Sequence, residues 1–220
     1  MGFANMTSLW TLDLSDNKLL GTLPTELFRL DSLKTLGLGR NEFHGTLPPG
    51  IGLLSDLTKL DLEINELSGT IPPEWFGLSN LQDLRLNHNR VTGTVSTLFG
   101  TLPELSNLQL YNNRLNGTLP SELGQITALK NLEMLDLRLT GTLPSELGLL
   151  SQLTRLSVSY NALTGTVPTE FGSLTALENL YFQSNLLSGN VSFLCDSQRI
   201  DPFRVDLRDL ECSCCSCCGF

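Results

Sequence analysis

The chain has 220 residues, 40% of them hydrophobic, and a formal net charge of -9 with only 14 Lys and Arg. A nucleic-acid surface needs a basic stripe that displaces counterions, and this balance argues against one. No stretch approaches the ~18 to 20 uninterrupted apolar residues of a membrane span.

The first ten residues, MGFANMTSLW, have neither the basic start nor the apolar run of a signal peptide. Met6 also stands where a myristoylation signal requires Ser or Thr. Phe3, Met6 and Leu9 fit the second half of a preceding repeat and not a polar cap, so the chain is expected to begin mid-repeat and to be truncated at its N-terminus.

From residue 9 onward one unit recurs. Gly stands at 21, 45, 69, 93, 117, 141, 165 and 189, a spacing of 24 without insertion or deletion. Leu occupies 9, 33, 57, 81, 105, 129, 153 and 177, and again the positions three residues later. A third apolar column runs Leu14, Leu38, Leu62, Leu86, Leu110, Met134, Val158, Phe182. The unit reads L-x-x-L-x-L-x-x-N-x-L-x-G-T-L-P and ends in a second apolar group such as Leu27/Leu30 or Trp75/Phe76/Leu78. Such self-similarity predicts a solenoid of about eight 24-residue coils over residues 1–192. Coil one starts at Leu9 and coil eight at Leu177.

Within each coil the L-x-L segment alternates with period two, so Leu12 and Leu14 point inward while Thr11, Asp13 and Ser15 point outward. Each coil thus supplies a short strand, and stacked coils form a curved parallel sheet. The Asn column (Asn17, Asn41, Asn65, Asn89, Asn113, Asn161, Asn185) stands where the chain leaves that strand, and its amides are expected to satisfy the backbone of a buried turn. Coil six interrupts this ladder with Leu137.

The repeat dissolves at Gln198, and residues 193–220 read as a Cys-rich cap and tail, with Phe203, Val205, Leu207 and Leu210 able to cover the last coil. All six cysteines (Cys195, Cys212, Cys214, Cys215, Cys217, Cys218) lie here, an even number that favours disulfides. A thiolate metal cluster in a reducing compartment and a prenylation box ending in Phe220 are the alternatives. N-x-S/T triplets make Asn5, Asn116 and Asn190 glycosylation candidates.

The units resemble the plant-type, extracellular leucine-rich repeats, marked by L-x-G-x-[IVL]-P as in Leu67-Ser68-Gly69-Thr70-Ile71-Pro72 and Leu163-Thr164-Gly165-Thr166-Val167-Pro168. The likeness implies an α/β solenoid, mostly β, with a second, lateral sheet at Gly-Thr-x-Pro and short 3-10 or helical segments on the convex side. Family members are receptor-kinase ectodomains, receptor-like proteins and polygalacturonase inhibitors, which bind proteins or peptides. The tail is similar to the ends of predicted repeat proteins of diatoms and related algae.

Catalysis finds no inventory: only His44 and His88 exist, in different columns, and no phosphate loop or kinase segment appears. Asp61, Glu63, Glu66 and Asp83 cluster, but an open sheet excludes no water, so they read as a solvated face. No metal site or cofactor is expected. The outward surface is polarised, acidic in the first coils (Asp13, Asp16, Asp61, Glu63, Glu66) and basic in the middle. The expected ligand-binding residues are Arg85, His88, Arg90, Tyr111, Arg114, Arg138, Arg155, Tyr160 and Tyr181 on the concave face, with Arg90, Arg114 and Arg138 stacked in one column. They point to a non-catalytic recognition module, extracellular or at the cell surface, for a protein, peptide or acidic glycan. Two alternatives stand beside it. One is an ectodomain fragment of a receptor-like kinase. The other is an ice- or surface-binding solenoid using Thr22, Thr46, Thr70, Thr94, Thr118, Thr142 and Thr166.

Overall fold

In a computed structural model the described residues are 6, 8–194, 203–204 and 210–211. Every cysteine, Asn5 and the remainder of the cap lie outside them. The Leu columns dictate the architecture. Leu36, Leu60, Leu84, Leu108, Leu132, Leu156 and Leu180 are at most 2% exposed, and each stands directly under the next in one parallel sheet. Full burial of one such side chain contributes about 1.5 to 3 kcal/mol, and the columns run unbroken from coil to coil.

Two nine-stranded parallel sheets share this core. The concave sheet takes Thr11–Asp13, Thr35–Gly37, Lys59–Asp61, Asp83–Arg85, Asn107–Gln109, Asn131–Glu133, Arg155–Ser157 and Asn179–Tyr181 in order. The lateral sheet takes Leu20–Gly21, Glu42–Thr46, Glu66–Gly69, Arg90–Thr94, Arg114–Thr118, Arg138–Gly141, Ala162–Thr166 and Leu186–Asn190. Past the repeats, Phe203–Arg204 and Leu210–Glu211 add a ninth strand to the concave and lateral sheets respectively. Eight 3-10 segments, from Thr25–Arg29 to Ser192–Leu194, close the coils on the convex side among the described residues. The solenoid is therefore a leucine-rich-repeat fold of about eight coils.

The registers of the two sheets differ. Concave strands pair residues 24 apart, as Asn107 with Asn131, whereas lateral strands pair residues 22 apart, as Thr92 with Arg114 and Asn116 with Arg138. Equivalent positions therefore stack directly on the concave sheet and step obliquely across the lateral one.

Between the sheets each coil passes through one left-handed residue, among them Arg40, Ile64, His88, Asn112, Asp136 and Tyr160 with φ between 50° and 56°. A side chain there costs roughly 1 to 2 kcal/mol, and the Asn that follows holds the backbone in place. In coil four the Asn89 amide donates to Leu62 O (2.8 Å) and Leu86 O (3.1 Å), and its oxygen accepts the Leu67 N–H at 2.9 Å. From Asn41 onward each Asn thus ties its own turn to the preceding coil.

Coil six does this without an amide. Leu137 is 6% exposed, and Asp136 before it keeps φ at 50°, so the turn has its ordinary shape while the Leu115 N–H is offered no side-chain acceptor. Leu137→Asn should be neutral or stabilising by up to about 1 kcal/mol, because recovered hydrogen bonds offset the lost leucine packing. A urea midpoint measurement checks this, and a loss beyond about 1 kcal/mol would show that leucine packing dominates there.

The lateral Gly column carries positive φ, for example 90° at Gly93 and 76° at Gly141. A β-carbon there would also meet the previous coil's threonine methyl, at 2.9 Å from Thr70 Cγ2 and 2.8 Å from Thr118 Cγ2 respectively. Each threonine methyl thus lies against the glycine of the next coil, and all seven threonines of the column are exposed.

Candidate functional site

The outward side chains of the concave sheet fall into three columns, and their chemistry changes along the solenoid. Coils one to four carry charge that is matched internally. Arg85 reaches Asp83 at 3.0 Å and Asp61 at 3.8 Å, Lys59 lies 3.9 Å from Asp83, and Arg40 donates to Glu63 at 3.0 Å. Gly37 and Gly39 leave gaps in coil two into which Asp13 and Asp61 lean. Burial lifts the Asp61 carboxyl above the ordinary carboxylate range, although the Glu63 N–H and the Arg85 and Lys59 charges oppose this. The expectation of a solvated acidic face thus fails at Asp61, because its neighbours cover it. Glu66 does not belong to this cluster, since it opens a lateral strand.

Coils five to eight present amides and aromatics. Asn107 donates to Asp83, and Asn131 donates to Asn107 Oδ1 at 2.7 Å, a ladder that ends in coil seven where Arg155 replaces the amide. Arg155 lies over the Tyr181 ring at 5.1 Å, and its Nε is 3.3 Å from Glu133 without the alignment of a hydrogen bond. Tyr181 donates to Asn179 Oδ1 at 3.1 Å. Small side chains floor coil seven: Ser157 is 3% exposed and Ser159 is fully buried. Tyr111 stands one coil beyond His88, its ring 5.2 Å away edge-on, and burial raises its hydroxyl pKa.

Five buried side-chain polar atoms among the described residues have no hydrogen-bond partner: Asn87 Oδ1, Asn131 Oδ1, Arg155 Nε, Ser159 Oγ and Gln183 Oε1. All belong to outward columns of the concave sheet, and four of them to coils six to eight. Such atoms are ordinarily satisfied in folded proteins. Asn131, Ser159 and Gln183 escaped the sequence reading because Asn, Ser and Gln carry no charge to mark them. Their signal was position alone, in the same columns as Arg155 and Tyr111.

The structure therefore divides the nine residues expected on the concave face. Arg85, Arg155 and Tyr181 lie on its strands and Tyr111 just beyond one, whereas His88 and Tyr160 occupy the left-handed turn between the sheets. Arg90, Arg114 and Arg138 are corrected to the lateral sheet, as the first residues of Arg90–Thr94, Arg114–Thr118 and Arg138–Gly141. They do not stack either, because the lateral register sets Arg114 opposite Thr92 and Arg138 opposite Asn116. The chain makes its turn at Asn89, so residue 90 already faces another side.

Among the described residues no group of three or more His, Cys, Asp or Glu is placed to hold a metal ion, and no helix is long and apolar enough to cross a membrane. Both glycosylation candidates within the described residues, Asn116 and Asn190, are exposed.

Family comparison gives a match described as Leucine rich repeat over residues 55–115, and a second of the same description over 8–30 and 152–174. Comparison with curated proteins gives no match. Among solved structures the chain is similar to the plant peptide hormone receptor RGFR1 in complex with RGF2, at 30% identity and a TM-score of 0.89, over 95% of this chain and 33% of that one. It is similar also to the ectodomain of the Arabidopsis thaliana membrane receptor kinase GASSHO1/SCHENGEN3 in complex with CASPARIAN STRIP INTEGRITY FACTOR 2, at 35% identity and a TM-score of 0.87, over 93% of this chain and 24% of that one. A plant ice-binding protein matches at 29% identity and a TM-score of 0.78, over 91% of this chain and 64% of that one. The chain thus spans a quarter to a third of the length of the two receptors. With its 24-residue period, its Asn turns, its paired sheets and these matches, the chain belongs to the leucine-rich-repeat proteins, and its coils are of the plant type.

Proposed function

We propose that this chain is a non-catalytic recognition module, acting outside the cell, whose concave sheet over coils five to eight holds an extended peptide or peptide loop. The observation that carries this is the set of orphaned polar atoms in coils six to eight, Asn131 Oδ1, Ser159 Oγ and Gln183 Oε1. A peptide main chain offers donors and acceptors in alternation, which suits a surface of unmet amide and hydroxyl groups beside Tyr111 and Tyr181. The complexes of the two receptors favour a peptide or protein as partner. An acidic ligand on this face is disfavoured, since Arg85 and Arg155 already face Asp83 and Glu133.

Peptides selected against the full chain from a displayed random library test this. Tyr181→Ala combined with Gln183→Ala should weaken the selected peptides at least tenfold, while Thr70→Lys with Thr118→Lys on the lateral sheet should leave them unchanged. Equal binding to the wild type and the Tyr181/Gln183 variant would sink the reading. A second reading, adsorption to ice, draws on the exposed threonine column and on the likeness to a plant ice-binding protein. The same Thr70→Lys and Thr118→Lys protein discriminates it, because only on this reading would inhibition of ice recrystallisation be present in the wild type and absent from the variant.

A further inference from the structure

Arg90, Arg114 and Arg138, once moved off the concave sheet, form a surface of their own. All three are exposed and open consecutive lateral strands. Arg90 is paired with Glu66 at 3.1 Å, whereas Arg114 and Arg138 enter no ion pair among the described residues. Arg114 stands directly across from Thr92, and Arg138 from Asn116, which itself faces Thr94. A cationic strip and a strip of hydroxyls and amides thus run side by side, obliquely, over coils four to six.

We propose that this strip binds a linear acidic polysaccharide, with its carboxylate or sulfate groups on the arginines and its sugar hydroxyls on Thr92, Thr94, Asn116 and Thr140. Diagonal neighbours on a sheet lie roughly 7 to 8 Å apart, so the guanidinium groups can meet successive charges of one polymer. A single small anion would require them to converge. A folded protein partner fits poorly, because interface hot spots centre on buried aromatics, and no large hydrophobic on these three strands is exposed: Leu20 and Leu186, the exposed ones on the lateral strands of the eight coils, belong to the first and last of these. Nucleic acid fits poorly too, since the chain carries -9 overall and the strip has no aromatic for a base to stack on. In a protein of that charge, neighbouring arginines without acidic partners repel one another, and a polyanion relieves the repulsion.

Asn116 stands within the strip and belongs to a glycosylation triplet, so the test uses the full chain made in a bacterial periplasm, where that triplet stays bare. Affinity is measured for alginate, dextran sulfate, uncharged dextran and poly(U) RNA at low and high salt. We expect alginate or dextran sulfate to bind with an affinity that falls as salt rises, and uncharged dextran and RNA to bind at least tenfold more weakly. Arg114→Glu with Arg138→Glu should lower that affinity at least tenfold at an unchanged melting temperature, and Arg29→Glu, an exposed arginine on the convex side of coil one, should not. Absence of binding to both acidic polysaccharides, equal binding of RNA, or indifference to the Arg114/Arg138 reversal would each overturn the proposal. None of these outcomes bears on the peptide site, which lies on the other sheet.

Discussion

Gly124→Ala should lower the melting temperature by roughly 6 to 12 °C, the largest effect expected of any single methyl added to this chain. The convex segments of neighbouring coils approach so closely that a β-carbon at Gly124 would lie 2.3 Å from the backbone oxygen of Glu146 and 2.7 Å from its carbonyl carbon. Backbone cannot step aside as a flexible side chain does. Relief requires coils five and six to part on the convex side, which loosens the contacts of Leu123 and Leu147 beneath. Overpacking of this kind costs about 1 to 3 kcal/mol, and a backbone obstacle places Gly124 at the upper end. Gly77 is the control: the same element type, no positive φ, and nothing within 4 Å of an added β-carbon. Gly77→Ala should be neutral or gain a few tenths of a kcal/mol by restricting the unfolded chain. Thermal melts followed by circular dichroism compare the two. Equal effects would mean that spacing between coils is not set by the convex glycines.

Asn89→Ala should destabilise the fold by about 3 kcal/mol. The Asn89 residue is 9% exposed, and its removal strands the Leu67 N–H together with the carbonyls that the amide caps in coils three and four. A buried group left without its partner costs about 1 to 3 kcal/mol, and several lose theirs at once. Asn17→Ala provides the contrast, since that amide donates to Leu14 O and Ser15 O at the exposed end of the ladder. Its loss should stay below about 1 kcal/mol, because water replaces the bonds. Chemical denaturation of both variants measures the difference, and similar losses would show that the ladder acts coil by coil and not as a tie between coils.

Much of this structure was legible in the amino-acid pattern. The 24-residue Gly spacing set the number of coils, and the L-x-L alternation sorted Thr11, Asp13 and Ser15 from the core. The arginine column was not, for a definite reason. Periodicity says which residues are equivalent, and not how far neighbouring coils slide past one another or where the chain turns from one sheet to the next. Arg90 is one residue beyond the Asn89 turn, and that one step moves it to another face. Internal pairing escaped as well: the acidic and basic halves suggested a polarised surface, but Arg85 spends its charge on Asp83 and Asp61. The polar atoms left over, such as Gln183 Oε1, become visible only once every neighbour is in place.

The left-handed residue of each coil has an evolutionary consequence. Across eight coils that position holds Asp16, Arg40, Ile64, His88, Asn112, Asp136, Tyr160 and Ser184, all in nearly the same backbone conformation. Conformation there is common to every coil, coil six with its Leu137 included, and the identity of the side chain is left free. Mutation at these sites can therefore redraw the rim between the two sheets while the frame stays still. A lineage can try new partners there without first finding a new shape.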